Sequence, residues 1–200
     1  MKKSLGYEIF MTALVLVIIA GVAGAVLGLV NYFTVVDENQ LFLDKATAVY
    51  DGALKEYKEP SGISQSLTFE GGDVLRICVP EKETEDDVYV ILAEGEGAYK
   101  GTLQILVNIT NGKIVKIAKY EANETPGLGS KALEEGYFRQ YYGKEITPDF
   151  PGFKLVKGAA NMPDDVKAVS GASKSSTAVT NAVNAAVHWY QARAMKGGKQ

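Results

Sequence analysis

Hydroxyl side chains crowd one stretch of the chain, AVSGASKSSTAV at residues 168–179. Apolar residues then recur at helical spacing: Val179, Ala182, Val183, Ala186, Val187 and Tyr190. One serine can cap a helix start, but small Gly171 and Ala172 also leave the backbone open to a bulky group. Because helix N-termini carry unpaired N–H groups and about half a positive charge, this stretch is predicted to bind an anion such as phosphate, with a helix beginning near Ser175.

Other chemistries do not fit this stretch. A Walker loop needs a second glycine before Lys174, and a Ser-x-x-Lys hydrolase needs a serine where Gly171 stands. The single histidine, His188, is predicted to be exposed on the polar face of the helix, and the chain has no G-x-S-x-G elbow. The single cysteine, Cys78, is predicted to be buried and cannot form an intramolecular disulfide. We therefore expect no catalytic residue and no metal site.

Two motifs together carry a family resemblance. The S-G-A-S of residues 170–173 resembles the S/T-G-A-T/S flavinylation motif of the FMN-binding domain, which the G subunit of the Rnf electron-transport complex shares with the C subunit of the Na⁺-pumping NADH:quinone reductase. Alone, ETPGLG at residues 124–129 predicts a tight turn. Followed by Ser130 and Lys131, it is similar to the E-T-P-G-L-G segment of the same domain. GEGAYKG at 95–101 and the N-terminal apolar segment are also similar to that family.

The resemblance implies a covalent cofactor and names its site. FMN would be joined through its phosphate to the hydroxyl of Ser173 by a separate flavin transferase. The residues expected around that phosphoester are Ser170, Gly171, Ala172, Lys174, Ser175 and Ser176. The residues expected around the ring are Thr125 and the backbone of Gly127 to Gly129, with Leu128 against its face and Glu124 and Lys131 flanking it as polar contacts or as a solvated pair. Lys167 stands where the family commonly has an acidic residue, so the transferase is expected to recognise Asp165 or another feature.

The resemblance also implies a function. The chain would be the electron-carrying subunit of an Rnf-type membrane complex that couples electron transfer between ferredoxin and NAD to Na⁺ or H⁺ translocation. It would work with the other membrane and redox subunits and would not be catalytic alone. The C subunit of the quinone reductase is the close alternative. A membrane-anchored module that holds FMN noncovalently, or another phosphate ligand, is the alternative from a different class. With a net charge of −3, no nucleic-acid partner is expected.

The secondary structure predicted around these motifs indicates an α+β domain with an antiparallel sheet and flanking helices. Apolar runs at 73–80 and 88–93 read as strands, and those at 101–109 and 113–121 flank Asn111-Gly112, a strong hairpin signal. Residues 130–143 contain helix formers. Apolar residues from Leu41 to Tyr57 recur at roughly helical spacing and predict an amphipathic connecting helix over 37–60.

The N-terminal segment is predicted to cross a membrane. Residues 9–36 carry no charge and would form a helix about 42 Å long at ~1.5 Å per residue, longer than a hydrocarbon core of about 30 Å. Lys2 and Lys3 followed by Ala23-Gly24-Ala25 also fit a signal peptide, but the apolar run continues well past Ala25, which favours a retained anchor.

The charges that flank the span predict its orientation. Lys2 and Lys3 precede it, whereas Asp37 and Glu38 follow it, so residues 1–8 are expected in the cytoplasm and the domain outside the cell membrane. The expected organisation is then a transmembrane helix at 9–36, a connecting helix at 37–60, an FMN-binding domain at 61–195 and a flexible tail at 196–200. Ala20, Gly24 and Gly28 form a small-residue stripe on which another membrane helix could pack, although transmembrane helices are in general rich in such residues.

Overall fold

The computed structural model of the protein describes residues 5–34, 37–57, 68–82 and 87–197. The chain divides into two compact units, Met1–Leu41 and Phe42–Gln200. The predicted boundary at residue 61 and residues 198–200 of the predicted tail at 196–200 lie outside the described residues, while residues 196–197 belong to the last helix. The first unit contains helix α1, Leu5–Thr34. Its 30 residues are apolar all round, and the described side chains from Gly6 to Thr34 are exposed.

Helix α1 confirms the predicted N-terminal apolar helix. At ~1.5 Å per residue its 30 residues extend about 45 Å, which exceeds the thickness of a bilayer core. Among the described residues it lies in the one helical segment that is long and apolar enough to cross a membrane. A helix that is hydrophobic on every side needs an apolar environment on every side, and a lipid bilayer provides one.

Helix α2 is shorter than predicted. It spans Glu38–Ala46, and Asp37 is its N-cap residue, because the Asp37 carboxylate accepts the N–H of Asn39 at 2.9 Å. The predicted helix over 37–60 is therefore wrong beyond Ala46 within the described residues. A bend at Asp51-Gly52 leads instead into strand β1, Leu54–Glu56, where Leu54 pairs with Pro80.

The second unit is built on one antiparallel sheet. Its remaining strands are β2 (Thr68–Phe69), β3 (Gly72–Pro80), β4 (Val88–Ala98), β5 (Gly101–Thr110) and β6 (Lys113–Glu121). The order is β1-β3-β4-β5-β6, with β2 paired to β3. The predicted hairpin is confirmed: Asn111 and Gly112 connect β5 to β6 with φ of 50° and 72°, as a tight two-residue turn requires.

The remaining elements connect the sheet to one long helix. A 3₁₀ turn at Gly129–Leu133 and the one-turn helix α3, Glu135–Phe138, replace the longer helix suggested by residues 130–143. Strands β7 (Lys154–Val156) and β8 (Asp165–Lys167) form a small parallel pair. Helix α4 then runs over Ser173–Gly197, beginning two residues earlier than predicted. The fold is α+β, as predicted.

The two faces of the sheet are covered differently. Helix α4 packs on one face through its small apolar residues, and α2 with the loop after it covers the other face, where Cys78 is fully buried as predicted. His188 is half-buried rather than exposed, because its ring lies 6.1 Å from that of Phe69.

Gly95 allows α4 to pack closely on the sheet. A Cβ on Gly95 of β4 would overlap the carbonyl oxygen of Ala178 and lie 2.8 Å from the amide nitrogen of Ala182. The helix backbone therefore rests directly on the strand backbone. This contact lies in the second and third turns of α4 and so sets how closely that part of the helix packs on the sheet.

Candidate functional site

The start of α4 is shaped by a tight turn. Ala172 N–H donates to the carbonyl of Val169 at 2.9 Å, and Gly171, the third residue of the turn, has φ of 80°. A turn of this type requires positive φ at that position, which explains the glycine. The Ser176 N–H then donates to the Ala172 carbonyl at 2.9 Å. Ala172 is therefore the N-cap residue, and its methyl side chain cannot accept a hydrogen bond from the first turn.

The first turn of α4 consequently keeps its amides free. Within the part of the chain that the structure describes, the N–H groups of Ser173, Lys174 and Ser175 have no hydrogen-bond acceptor. Three such amides point out of the helix end, where the helix dipole contributes about half a positive charge. This geometry suits an anion with several oxygen acceptors, such as a phosphate.

The clustered hydroxyls have separate partners. The Ser176 hydroxyl accepts the N–H of Val169 at 3.0 Å and is fully buried. Thr177 donates to the Ser173 carbonyl at 2.9 Å, and Ser175 donates to the Glu124 carboxylate at 2.5 Å. The half-buried Ser173 hydroxyl makes no hydrogen bond to any residue that the structure describes. It is thus an unengaged nucleophilic oxygen beside the free amides.

The ETPGLG segment forms the second wall of the site. Its chain turns at Gly127, where φ is 74°, and the Gly127 N–H donates to the Ser130 hydroxyl at 2.9 Å. Leu128 and Ser130 both donate their N–H groups to the Thr125 carbonyl at 3.2 Å. The predicted tight turn is therefore present, and these bonds hold it in one shape.

The two motifs meet through Glu124, Gly129 and Ser175. The Ser175–Glu124 hydrogen bond joins residues 51 positions apart in the sequence. A Cβ on Gly129 would overlap the Glu124 carboxylate and lie 2.7 Å from the Ser175 hydroxyl, so only glycine allows this approach. Leu128 also reaches the turn before α4, with its Cδ1 3.3 Å from the position of a Cβ on Gly171.

A cavity of about 460 Å³ opens between these walls. Its volume lies within the range of about 300–1,000 Å³ that is typical of small-molecule sites. Most predicted site residues line it: Glu124, Thr125, Leu128, Gly129, Gly171, Ala172, Ser173, Lys174 and Ser175.

Four predicted site residues do not line the cavity: Ser170, Ser176, Gly127 and Lys131. Ser170 and Lys131 are exposed elsewhere, and Gly127 shapes the turn. Ser176 braces the chain before the helix through its bond from the Val169 N–H. Their roles are therefore structural or peripheral in this arrangement.

Tyr99 lines the same cavity and was missed as a site residue. It sits at the tip of the β4–β5 hairpin, within the GEGAYKG segment, and is 68% exposed. The Lys174 ammonium lies 5.7 Å from the centre of its ring. The only sequence signal was an aromatic residue between glycines in a predicted connection, which does not reveal what the ring faces.

Asp165, the first residue of β8, stabilises the loop before that strand. The Asp165 carboxylate accepts the N–H groups of Asn161 and Met162 at 2.9 and 3.0 Å, and these bonds lower the pKa of Asp165. The backbone of Lys167 is held at both ends by the Gln140 side chain, at 2.9 Å through its N–H and 3.3 Å through its carbonyl.

The chemistry of the donor set fits FMN. A phosphate can be held by the free amides at the start of α4, next to the unengaged hydroxyl of Ser173. The rest of the cavity presents the apolar surfaces of Leu128 and Tyr99, which suit a planar aromatic ring.

Comparisons with known proteins agree with this chemistry. Residues 98–188, which include both motifs, match the family model of the FMN-binding domain. The chain is 27% identical to the G subunit of the Na⁺-translocating ferredoxin:NAD⁺ oxidoreductase complex of Acetobacterium woodii, over 92% of each chain. It is 33% identical to the G subunit of the proton-translocating complex of Clostridium ljungdahlii, over 60% of each. The C subunit of the Na⁺-translocating NADH-quinone reductase of Yersinia pestis is 31% identical over 58% of this chain and 41% of its own length.

A solved structure supports the fold. The crystal structure of Shewanella oneidensis NqrC is similar, with a TM-score of 0.54 and 15% identity, over 74% of this chain and 90% of that one. The resemblance inferred from the sequence motifs is confirmed: the chain is similar to these G subunits, and residues 98–188 match the FMN-binding domain.

Proposed function

We propose that this chain is the FMN-carrying G subunit of a membrane complex that moves electrons between ferredoxin and NAD while Na⁺ or H⁺ is transported. One observation carries the proposal. The Ser173 hydroxyl is unengaged beside three free helix amides, in a cavity that the two family motifs build together.

The attachment is proposed as a phosphoester between FMN and Ser173, made by a separate flavin transferase. The new bond joins the Ser173 oxygen to the flavin phosphorus, while the pyrophosphate bond of a flavin dinucleotide donor breaks and the nucleotide monophosphate leaves with the hydroxyl proton. The protein thereby gains the mass of FMN less one water. The amides of Ser173, Lys174 and Ser175 then hold the phosphate oxygens, and the Lys174 ammonium can add charge. The Ser175–Glu124 bond keeps the ETPGLG wall in place beside the helix start.

The role follows from a tethered cofactor. FMN supplies the redox chemistry, taking up and releasing electrons, while the protein sets its position and potential. A short tether keeps the group at an effective concentration of about millimolar near its redox partners and prevents its loss into the extracytoplasmic space. No acid or base from this chain is needed for such a carrier.

Membrane attachment is proposed to run through α1, with the domain on the extracytoplasmic side. The orientation rests on Lys2 and Lys3 before the span and Asp37 and Glu38 after it. The stripe of Ala20, Gly24 and Gly28 would allow close packing of α1 against membrane subunits of the complex.

Relative length favours the Rnf-type assignment over the quinone-reductase assignment. The chain and the Acetobacterium G subunit match over 92% of both. By contrast, this chain spans 41% of the Yersinia quinone-reductase relative and 58% of the Vibrio vulnificus one. The match therefore covers 92% of one G subunit and 60% of another, against 41% and 58% of the two quinone-reductase subunits.

The mass of the intact protein tests the attachment. Full-length chain produced with a flavin transferase in an exporting host should gain FMN less one water, and the label should map to the peptide that contains Ser173. Ser173→Ala should abolish in-gel flavin fluorescence. Ser176→Ala is the control, because Ser176 has the same side chain outside the S-G-A-S motif, and its hydroxyl accepts the Val169 N–H away from the cavity. Labelled protein in which Ser173 is unmodified would contradict the covalent assignment.

A further inference from the structure

Residues 169–173, which we call the acceptor turn, lie between the end of a strand and a helix. Strand β8 ends at Lys167, just before the turn, and α4 continues from the turn through Thr180. The Gln140 side chain is hydrogen-bonded to the first of these residues, and the Tyr141 side chain to the second. Two consecutive side chains therefore hold the acceptor turn from both of its ends.

Gln140 takes the place of a neighbouring strand beside β8. In a parallel pair, alternate residues direct their N–H and carbonyl groups away from the partner strand. Lys167 is such a residue, because the residue after it, Ala168, donates to the Val156 carbonyl of β7 at 2.8 Å. The Gln140 side chain accepts the Lys167 N–H at 2.9 Å and donates to the Lys167 carbonyl at 3.3 Å. Both polar groups of this strand edge are thereby paired, which fixes the position of the strand end.

Tyr141 holds the helix that follows the acceptor turn. Its side chain is fully buried, and its hydroxyl lies 2.9 Å from the Thr180 hydroxyl. Because the Thr180 hydroxyl donates to the Ser176 carbonyl at 2.9 Å, Tyr141 is the donor in this pair. The Ser176 N–H in turn donates to the carbonyl of Ala172, the N-cap residue. The hydrogen bonds thus run from Tyr141 through the first turns of α4 to the acceptor turn.

We infer that Gln140 and Tyr141 are positioning residues for the transfer of flavin to Ser173, and this inference rests on the proposed function. In that transfer the Ser173 oxygen bonds to the phosphorus of a flavin dinucleotide, the pyrophosphate bond breaks, and the nucleotide monophosphate leaves with the hydroxyl proton. The attacking oxygen must lie close to phosphorus and in line with the bond that breaks, and small displacements slow such steps strongly. Neither Gln140 nor Tyr141 lines the cavity, so each acts through the chain that carries Ser173.

The test measures how fast a flavin transferase labels full-length chain that was produced without flavin. Gln140→Met keeps the length of the side chain but removes both hydrogen bonds with Lys167, and Tyr141→Phe removes only the hydroxyl. The maximal rate should fall about three- to thirtyfold in Gln140→Met and about two- to tenfold in Tyr141→Phe. The physical reason is that two hydrogen bonds and one hydrogen bond, respectively, no longer hold the turn in its reactive position. The KM for the chain should stay unchanged, because the cavity and Ser173 are retained.

Two variants serve as matched controls. Asn184→Leu removes an equivalent pair of bonds, in which Asn184 accepts the Phe153 N–H at 2.7 Å and donates to the Phe153 carbonyl at 3.0 Å. Tyr190→Phe removes a hydroxyl that donates to the Asp87 carboxylate at 2.8 Å, toward the C-terminal end of α4. Both controls should lower Tm, as the two test variants do, but they should be labelled at the rate of the unmodified sequence.

The outcomes separate this inference from the proposed function. Labelling of Gln140→Met and Tyr141→Phe at the unmodified rate, or equal slowing in the two controls, overturns the positioning role while the attachment to Ser173 stands. A raised KM with an unchanged maximal rate also overturns it, because the side chains would then contact the transferase. If thermal unfolding shows that Gln140→Met does not fold, the result for Tyr141→Phe decides alone. Absence of label from every chain, the unmodified sequence included, refutes the proposed function itself.

Discussion

Replacement of Gly129 by alanine tests whether the two motifs must touch for the site to exist. Gly129 does not have positive φ, and alanine suits a helical turn better than glycine, so the backbone itself tolerates the change. The added Cβ would overlap the Glu124 carboxylate and lie 2.7 Å from the Ser175 hydroxyl. Glu124 must therefore move, and its hydrogen bond with Ser175 must break.

The loss of folding stability expected for Gly129→Ala follows from the Ser175–Glu124 hydrogen bond. A hydrogen bond to a charged group contributes about 1.5–3 kcal/mol, and the partial exposure of Glu124 reduces this to about 1–2 kcal/mol. For a domain of this size, that loss lowers Tm by about 2–8 °C. Gly136→Ala is the matched control, because a Cβ on this exposed glycine meets nothing within 4 Å. Thermal unfolding followed by circular dichroism measures both.

A double-mutant cycle gives the sharper result. In a Glu124→Ala background the carboxylate is absent, so Gly129→Ala should cost less than it does with Glu124 present. Flavin incorporation should fall in Gly129→Ala and remain unchanged in Gly136→Ala. Equal costs of Gly129→Ala in both backgrounds, or no cost in either, would refute the conclusion that Gly129 exists to let Glu124 reach Ser175.

Two further predictions concern the acid response and the topology. Because its pKa is lowered in the folded state, the Asp165 carboxylate stabilises the fold above its unfolded pKa, and this contribution is lost as pH falls through the folded pKa. Asp165→Asn should therefore reduce the loss of stability at acid pH, measured by urea unfolding at a series of pH values. An unchanged pH dependence would contradict the role assigned to the hydrogen bonds that this carboxylate accepts. Cys78 is buried, and burial raises its pKa to about 11, so the unmodified protein should resist thiol reagents at neutral pH. Val115→Cys, at a position 50% exposed, should instead react with a membrane-impermeant thiol reagent on whole cells. Labelling only after lysis would place the domain in the cytoplasm and contradict the proposed orientation.

The strands were predictable because their signals are local, whereas the meeting of the two motifs was expected from the family resemblance alone. Asn111-Gly112 specifies its hairpin by backbone conformation alone, and the tight turn sets the register in which β5 and β6 begin to pair. The start of α4 was likewise predicted to within two residues, since it depends on a short run of small residues. These signals do not require knowledge of what packs nearby.

The incorrect predictions concern segments whose conformation depends on tertiary packing. Apolar residues after Ala46 follow helical spacing, but Val49 and Leu54 cover the sheet from a loop and an edge strand instead. The hydroxyls of Ser173 and Ser176 look equivalent in sequence, and only the turn at Gly171 separates an unengaged oxygen from a buried brace. Tyr99 could not be assigned because its neighbour Lys174 lies on a distant element.

The contact between Gly95 and Ala178 has a consequence for how this protein can change over time. It joins backbone to backbone, so the place of the helix start over the hairpin does not depend on the size of the side chains that fill the core. Core side chains can then be exchanged by mutation with little effect on where this part of the helix lies over the sheet. Gly72 shares the constraint, because a Cβ there would lie 3.1 Å from the carbonyl oxygen of Asn181 in the same helix.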